Sequence, residues 1–177
     1  MAPDQAFNLN LTPGQLRRLK VLADLTDDQL ALFVSLVEPV QVKPNRLVVK
    51  RNDPGDAMFL LLIGEVRVSD TVDGRDTTIA TLEAGDFFGE MCLFDEGPRS
   101  ADVAANRECV LLKITKQAFD SLIVEHPAIG ALFLRAMMRI VVGRVRKMDK
   151  KYIDSMLLSR FWNKGAAAPA ASASRPR

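Results

Sequence analysis

Residues 88 to 101 read Phe88-Gly89-Glu90-Met91-Cys92-Leu93-Phe94-Asp95-Glu96-Gly97-Pro98-Arg99-Ser100-Ala101. The pattern predicts a short helical turn followed by an arginine brought back beside it. Gly89 has no side chain, so backbone there can approach a ligand closely, and the opening N–H groups of the turn have no partners inside it. Such donors attract an anion. Arg99 adds a planar fork of donors suited to a phosphate, whereas Glu90 only accepts and therefore suits a sugar hydroxyl. Donors with one acceptor among them point to a ribose phosphate.

The flanking sequence is strand-like. From Val40 to Ile114, short β-branched runs are punctuated by Asn45, Asp53-Pro54-Gly55, Gly64, Asp73-Gly74, Gly85-Asp86 and Gly97-Pro98. Evenly spaced runs and turns predict a jelly-roll barrel. Val66 and Val68 alternate with polar neighbours, Asp73-Gly74 marks a hairpin, and Ile79 with Leu82 begins the strand leading into the 88–101 segment. Toward the N-terminus, Thr12-Pro13 predicts a helix running through Leu16, Leu19 and Leu22. Thr26 caps a second helix, with Asp27 and Asp28 in its first turn, Leu30, Phe33, Val34 and Val37 on one face, and Pro39 at its end. Toward the C-terminus, Thr115 caps a short helix holding Phe119, Leu122 and Ile123 that stops at His126-Pro127. A long helix follows from Ala128 to about Phe161, interrupted only by Gly143. Within it Leu134, Met138, Val141, Val145, Met148 and Tyr152 recur at spacings of four and three. That is a heptad seam, which predicts a parallel coiled-coil homodimer, although the same stripe is compatible with packing on the barrel.

Residues 88–101 resemble the phosphate-binding cassette of the cyclic-nucleotide-binding domain family, the family of the catabolite activator protein and the kinase regulatory subunits. A second family signature lies upstream, Asn52-Asp53-Pro54-Gly55-Asp56-Ala57-Met58-Phe59-Leu60-Leu61-Leu62-Ile63-Gly64-Glu65-Val66, and the two occur in family order. The resemblance implies an α+β fold: an eight-stranded β jelly-roll barrel with N-terminal helices, a short cassette helix and a long C-terminal helix. It implies that Glu90 binds the ribose 2′-hydroxyl and that Arg99 pairs with the cyclic phosphate. The backbone amides of Gly89, Glu90, Met91 and Cys92 would complete the cradle, with Ser100 and Ala101 beside the arginine. In the family the long C-terminal helix contributes contacts to the base, and counting from Pro127 makes Arg144 the first candidate, ahead of Arg139 and Arg146. Two departures stand out. Asn52 occupies a position where the family has glycine, and Cys92 one where it has alanine, glycine or serine; asparagine tolerates positive φ and cysteine is small, so neither should close the pocket.

With 177 residues, 48% of them hydrophobic and 26% charged, the chain can bury one core plus appendages. The expected organisation is an N-terminal helical segment over 1–38, the nucleotide-binding jelly roll over 39–127, the long helix over 128–162 and a disordered tail over 163–177. No apolar run has membrane-spanning length and residues 1–5 lack a secretory layout, so a cytoplasmic protein is expected. Cys92 and Cys109 are too few and too ill-spaced for a disulfide framework or a metal site and read as buried free thiols. The single histidine, His126, supplies neither a metal cluster nor a catalytic triad. No catalytic residue, metal or cofactor is therefore assigned, and the ligand implied is cAMP, with cGMP second. Arg135, Arg139, Arg144, Arg146, Lys147, Lys150 and Lys151 crowd one segment. Too few residues follow Phe161 to build a helix-turn-helix module, so direct DNA reading is not expected, and the implied output is a separate effector protein. Two rivals are a cyclic-dinucleotide receptor on the same fold and a dimeric adaptor with a vestigial pocket.

Overall fold

A computed structural model of the chain describes residues 11–72, 74–95 and 97–166. Asp73 of the expected hairpin, Glu96 of the cassette and the tail beyond Ala166 lie outside the described residues. Along the chain the elements are α1 (Pro13–Leu16), α2 (Asp27–Ser35), β1 (Glu38–Val42), β2 (Leu47–Val49), β3 (Ala57–Ile63), β4 (Glu65–Val72), β5 (Arg75–Glu83), β6 (Phe87–Phe88), α3 (Cys92–Asp95), β7 (Asp102–Ala105), β8 (Cys109–Thr115), α4 (Lys116–Val124) and α5 (Pro127–Ala166). The chain divides into two compact units, one ending at Ala136 and one beginning at Met137.

In the first unit the strands form two four-stranded antiparallel sheets, ordered β1-β8-β3-β6 and β2-β7-β4-β5. This is the expected eight-stranded jelly roll. Side chains of Phe59, Leu61, Val66, Phe88, Val103, Ala105, Cys109 and Leu111 fill the space between the sheets. Successive strand residues face opposite sides, so Met58 and Leu60 point away from that layer, yet both are fully buried. The helices explain why, because α3 lies against β3 and α4 against β8. Each fully buried leucine or phenylalanine contributes about 1.5–3 kcal/mol, so this doubly covered strand anchors the unit.

Four phenylalanines link the cassette to the helices. The Phe94 ring of α3 meets Phe119 of α4 edge-on at 5.5 Å, Phe119 meets Phe133 of α5 at 6.4 Å, and Phe133 meets Phe33 of α2 at 5.6 Å. Threonine caps stand where the sequence puts them. Thr12 and Thr26 each form a reciprocal capping box with a glutamine three residues on, and Thr115 Oγ1 accepts from Ala118 N at 3.1 Å.

Four expectations need correction. The first helix ends at Leu16, and the chain continues in turns whose N–H groups reach back three residues: Leu19 to Leu16 at 3.0 Å, Leu22 to Leu19 at 2.8 Å, Leu25 to Leu22 at 3.1 Å. Turns of three residues, rather than 3.6, suit leucines spaced by three, and Leu16, Leu19, Leu22 and Leu25 are all buried. The second helix stops at Ser35, and Pro39 lies inside β1, an edge strand where a missing N–H is tolerated. Ile79 and Leu82 belong to the β4–β5 hairpin, so the strand entering the cassette is the two-residue β6. The last helix extends to Ala166, which takes residues 163–166 out of the expected tail. In the second unit Met138, Val142, Val145, Met148, Tyr152 and Ile153 are exposed along this helix.

Candidate functional site

The site is assembled where the two sequence signatures meet. Asn52 N donates to Arg99 O at 2.9 Å and Arg99 N donates to Asp53 O at 2.9 Å, so the backbone of Arg99 is clamped to the turn before β3. Asn52 has φ +67°, the left-handed conformation that asparagine bears better than most residues, which accounts for its replacing glycine. From this clamp the Arg99 side chain runs inward and is only 6% exposed. Its Nη1 donates to Ala57 O at 2.6 Å, to Gly89 O at 3.1 Å and to Cys92 Sγ at 3.2 Å. The guanidinium carbon lies 5.9 Å from the centre of the Phe59 ring, which stacks on Phe88. Nη2 lies 3.5 Å from Asp56 Oδ1, and that carboxylate is largely exposed. One corner of the guanidinium is thus consumed by the fold, while the other meets a solvated acid that a stronger anion can displace.

The cassette turn begins at Gly89, with φ +74°, where an added Cβ would fall 2.7 Å from Arg99 Nη1. Glycine is required both by the backbone conformation and by the arginine. The bonds of the turn run from Leu93 N to Glu90 O at 3.0 Å and from Phe94 N to Met91 O at 2.9 Å, so the amides of Met91 and Cys92 stand at its opening, ahead of them. Glu90 is half-buried, Met91 exposed, Cys92 buried, Ser100 exposed and Ala101 half-buried at the entry to β7. The structure therefore brings Gly89, Cys92 and Arg99 into direct contact, with Glu90 and Met91 in the intervening turn. Arg144 lies in the second unit, half-buried on the long helix.

Some participants carry no sequence signal. Ala57 and Gly89 hold the arginine through backbone carbonyls, which any residue type supplies. Gly55 is different: a Cβ there would stand 2.3 Å from Cys92 Cβ, so its glycine is the visible trace of a packing constraint that reads in sequence only as a turn. A cleft of about 340 Å³ formed by Ile63, Gly64, Glu83, Ala84, Arg107 and Glu108 lies outside the cassette. Among the described residues no group of three or more His, Cys, Asp or Glu side chains could hold a metal ion, and no helix is long and apolar enough to cross a membrane.

The family profile described as Cyclic nucleotide-binding domain matches residues 39–126, which span the barrel and the whole cassette. The chain belongs to the cyclic nucleotide-binding domain family. Relatives of this domain include the CRP-like cAMP-activated global transcriptional regulator of Mycobacterium tuberculosis, 25% identical over 140 residues that cover 78% of this chain and 61% of the relative. The cAMP-dependent protein kinase regulatory subunit of Pyricularia oryzae is 31% identical over 108 residues, covering 61% of this chain and 27% of that subunit. Among solved structures, the N-terminal domain of a transcriptional regulator from Streptomyces coelicolor A3(2) superposes with a TM-score of 0.63 at 30% identity, covering 77% of this chain and 95% of that one. The chain thus spans about three fifths of the bacterial regulator and about a quarter of the kinase subunit. What the similarity covers is the nucleotide-binding domain, and the matched residues include the cassette described above.

Proposed function

We propose that this chain is a non-enzymatic sensor of a cyclic mononucleotide, cAMP in preference to cGMP. Arg99 receives the cyclic phosphate, Glu90 the ribose 2′-hydroxyl, and the amides of Gly89 to Cys92 line the cradle with Ser100 and Ala101 at its edge. Arg144 is proposed as a base contact from the sequence alone. The observation that carries the reading is the buried guanidinium, anchored on one corner by the Ala57 and Gly89 carbonyls and presented beside the opening amides of the cassette turn. An arginine fixed in this way offers a preformed fork to a phosphate. The names of the relatives support cAMP as the first ligand to test.

Output is proposed to pass through the long helix to a separate effector protein in the cytoplasm. A ligand that binds one arrangement of that helix better than another shifts its population, and with it the surface displayed. The exposed apolar stripe of Met138, Val145, Met148 and Tyr152 supports self-association of two such helices. Titration calorimetry against cAMP, cGMP and cyclic di-GMP tests the ligand. Micromolar or tighter binding of cAMP is expected, and Arg99→Ala should cost about 2–5 kcal/mol, a loss of tens- to thousands-fold. Tightest binding by the dinucleotide, or an affinity indifferent to Arg99, would overturn the reading; no binding at all would leave the adaptor.

A further inference from the structure

We propose that the Cys92 thiol is a positioning residue for Arg99, fixing the guanidinium in the orientation that receives the phosphate; this rests on the reading of the cassette just given. Sγ lies 3.2 Å from Arg99 Nη1 and 3.1 Å from Gly89 O, and Nη1 itself lies 3.1 Å from Gly89 O. A thiol is a weak donor and a weak acceptor, so S–H toward the carbonyl and a sulfur lone pair toward Nη1 use both capacities at once. The three groups close a ring of contacts among turn carbonyl, thiol and guanidinium. Nη1 has two hydrogens and meets three acceptors, of which Ala57 O and Gly89 O are backbone and Cys92 Sγ is the side chain.

The surroundings accommodate this side chain specifically. An added Cβ at Gly55 would lie 2.3 Å from Cys92 Cβ and 2.8 Å from Sγ, so the absence of a side chain at 55 creates the space that the cysteine fills. The thiol is buried with the guanidinium, out of reach of water that could replace the contact. Recognition of a phosphate by a fork of donors depends on the fork's plane, and a guanidinium already held in that plane loses less freedom on binding.

The test compares calorimetric cAMP affinity and thermal unfolding of the full chain with those of its variants. Cys92→Ala should weaken binding about threefold to tenfold, the effect of one lost hydrogen bond. Cys92→Ser, which restores a donor and acceptor, should recover most of it. Cys92→Val fills the space without a polar atom and should behave like Cys92→Ala, which keeps the test open if the alanine variant does not fold. Cys109→Ala removes a buried thiol whose contacts are the backbone carbonyls of Glu65 and Arg107, and should bind as wild type. In an Arg99→Lys background, which lacks Nη1, Cys92→Ala should change affinity by under about twofold. Wild-type affinity in Cys92→Ala and Cys92→Val, no rescue by serine, or an undiminished loss in the lysine background would each reduce Cys92 to packing and overturn the proposal. If wild-type protein binds no cyclic nucleotide, the cassette reading fails and this inference falls with it; if it binds and only the Cys92 results go the other way, the cassette reading stands.

Discussion

Gly89 combines a left-handed backbone with a 2.7 Å approach of the absent Cβ position to Arg99 Nη1. Gly89→Ala therefore strains the turn and pushes the guanidinium off its carbonyl anchors. A stability loss of about 1–3 kcal/mol in urea titration, together with weakened nucleotide binding, is expected. Cys109 gives a pH-dependent counterpart. Burial pushes its thiol above the usual 9.0, partly opposed by the hydrogen bond to Glu65 and the charge of Arg107, while the Glu65 charge adds to the rise. A raised folded value means the neutral thiol's contribution is complete below about pH 9 and is lost as pH rises through the folded value. Denaturation of wild type and Cys109→Ala at about pH 8 and pH 10 should show wild type losing more stability with alkalinity. At this scale the sequence reveals what side-chain chemistry demands: Gly89 and Arg99 stand out because glycine bears the left-handed turn beside the guanidinium and arginine supplies the fork that the carbonyls hold. The Ala57 carbonyl is invisible by the same logic, since a backbone oxygen has no letter of its own.

Among the elements, α4 packs through one central ring. Phe119 is buried and its ring stands between Phe94 of the cassette helix and Phe133 of α5. Phe119→Ala should lower unfolding free energy by about 3–5 kcal/mol, measured by denaturant titration. If this ring also steadies the cassette, a cAMP-induced rise in melting temperature should shrink in the variant. The caps at Thr12, Thr26 and Thr115 were legible because capping is settled within four residues. The leucines at 16, 19 and 22 misled because a spacing of three fits both a helix face and a chain of tight turns, and only the backbone hydrogen bonds decide between them. β6 was out of reach for another reason: two phenylalanines become a strand through pairing with Phe59 and Leu60, a long-range condition.

On the scale of the molecule, a jelly-roll barrel and the order of its turns could be read from punctuation, and the number of strands came with the family resemblance, whereas the pairing of β1 with β8 and of β2 with β7 could not be read, because a jelly roll joins strands distant in sequence. The long helix leaves a measurable question of assembly. Sedimentation equilibrium at micromolar concentration should report a dimer, and Val145→Glu with Met148→Glu, placing acids on two exposed apolar positions of the stripe, should yield monomer. A monomer for the wild type with and without nucleotide would refute that assembly. The strand order has one further consequence. β7 enters between β2 and β4, and β8 between β1 and β3, so the first two strands wait for the last two to acquire their neighbours. During synthesis the early ribbons leave the ribosome unmatched, and Arg99 emerges just ahead of the strands that complete both sheets. The clamp on Arg99 is consequently completed late in the chain: its backbone partners at Asn52 and Asp53 precede it, and the strands that close both sheets follow it.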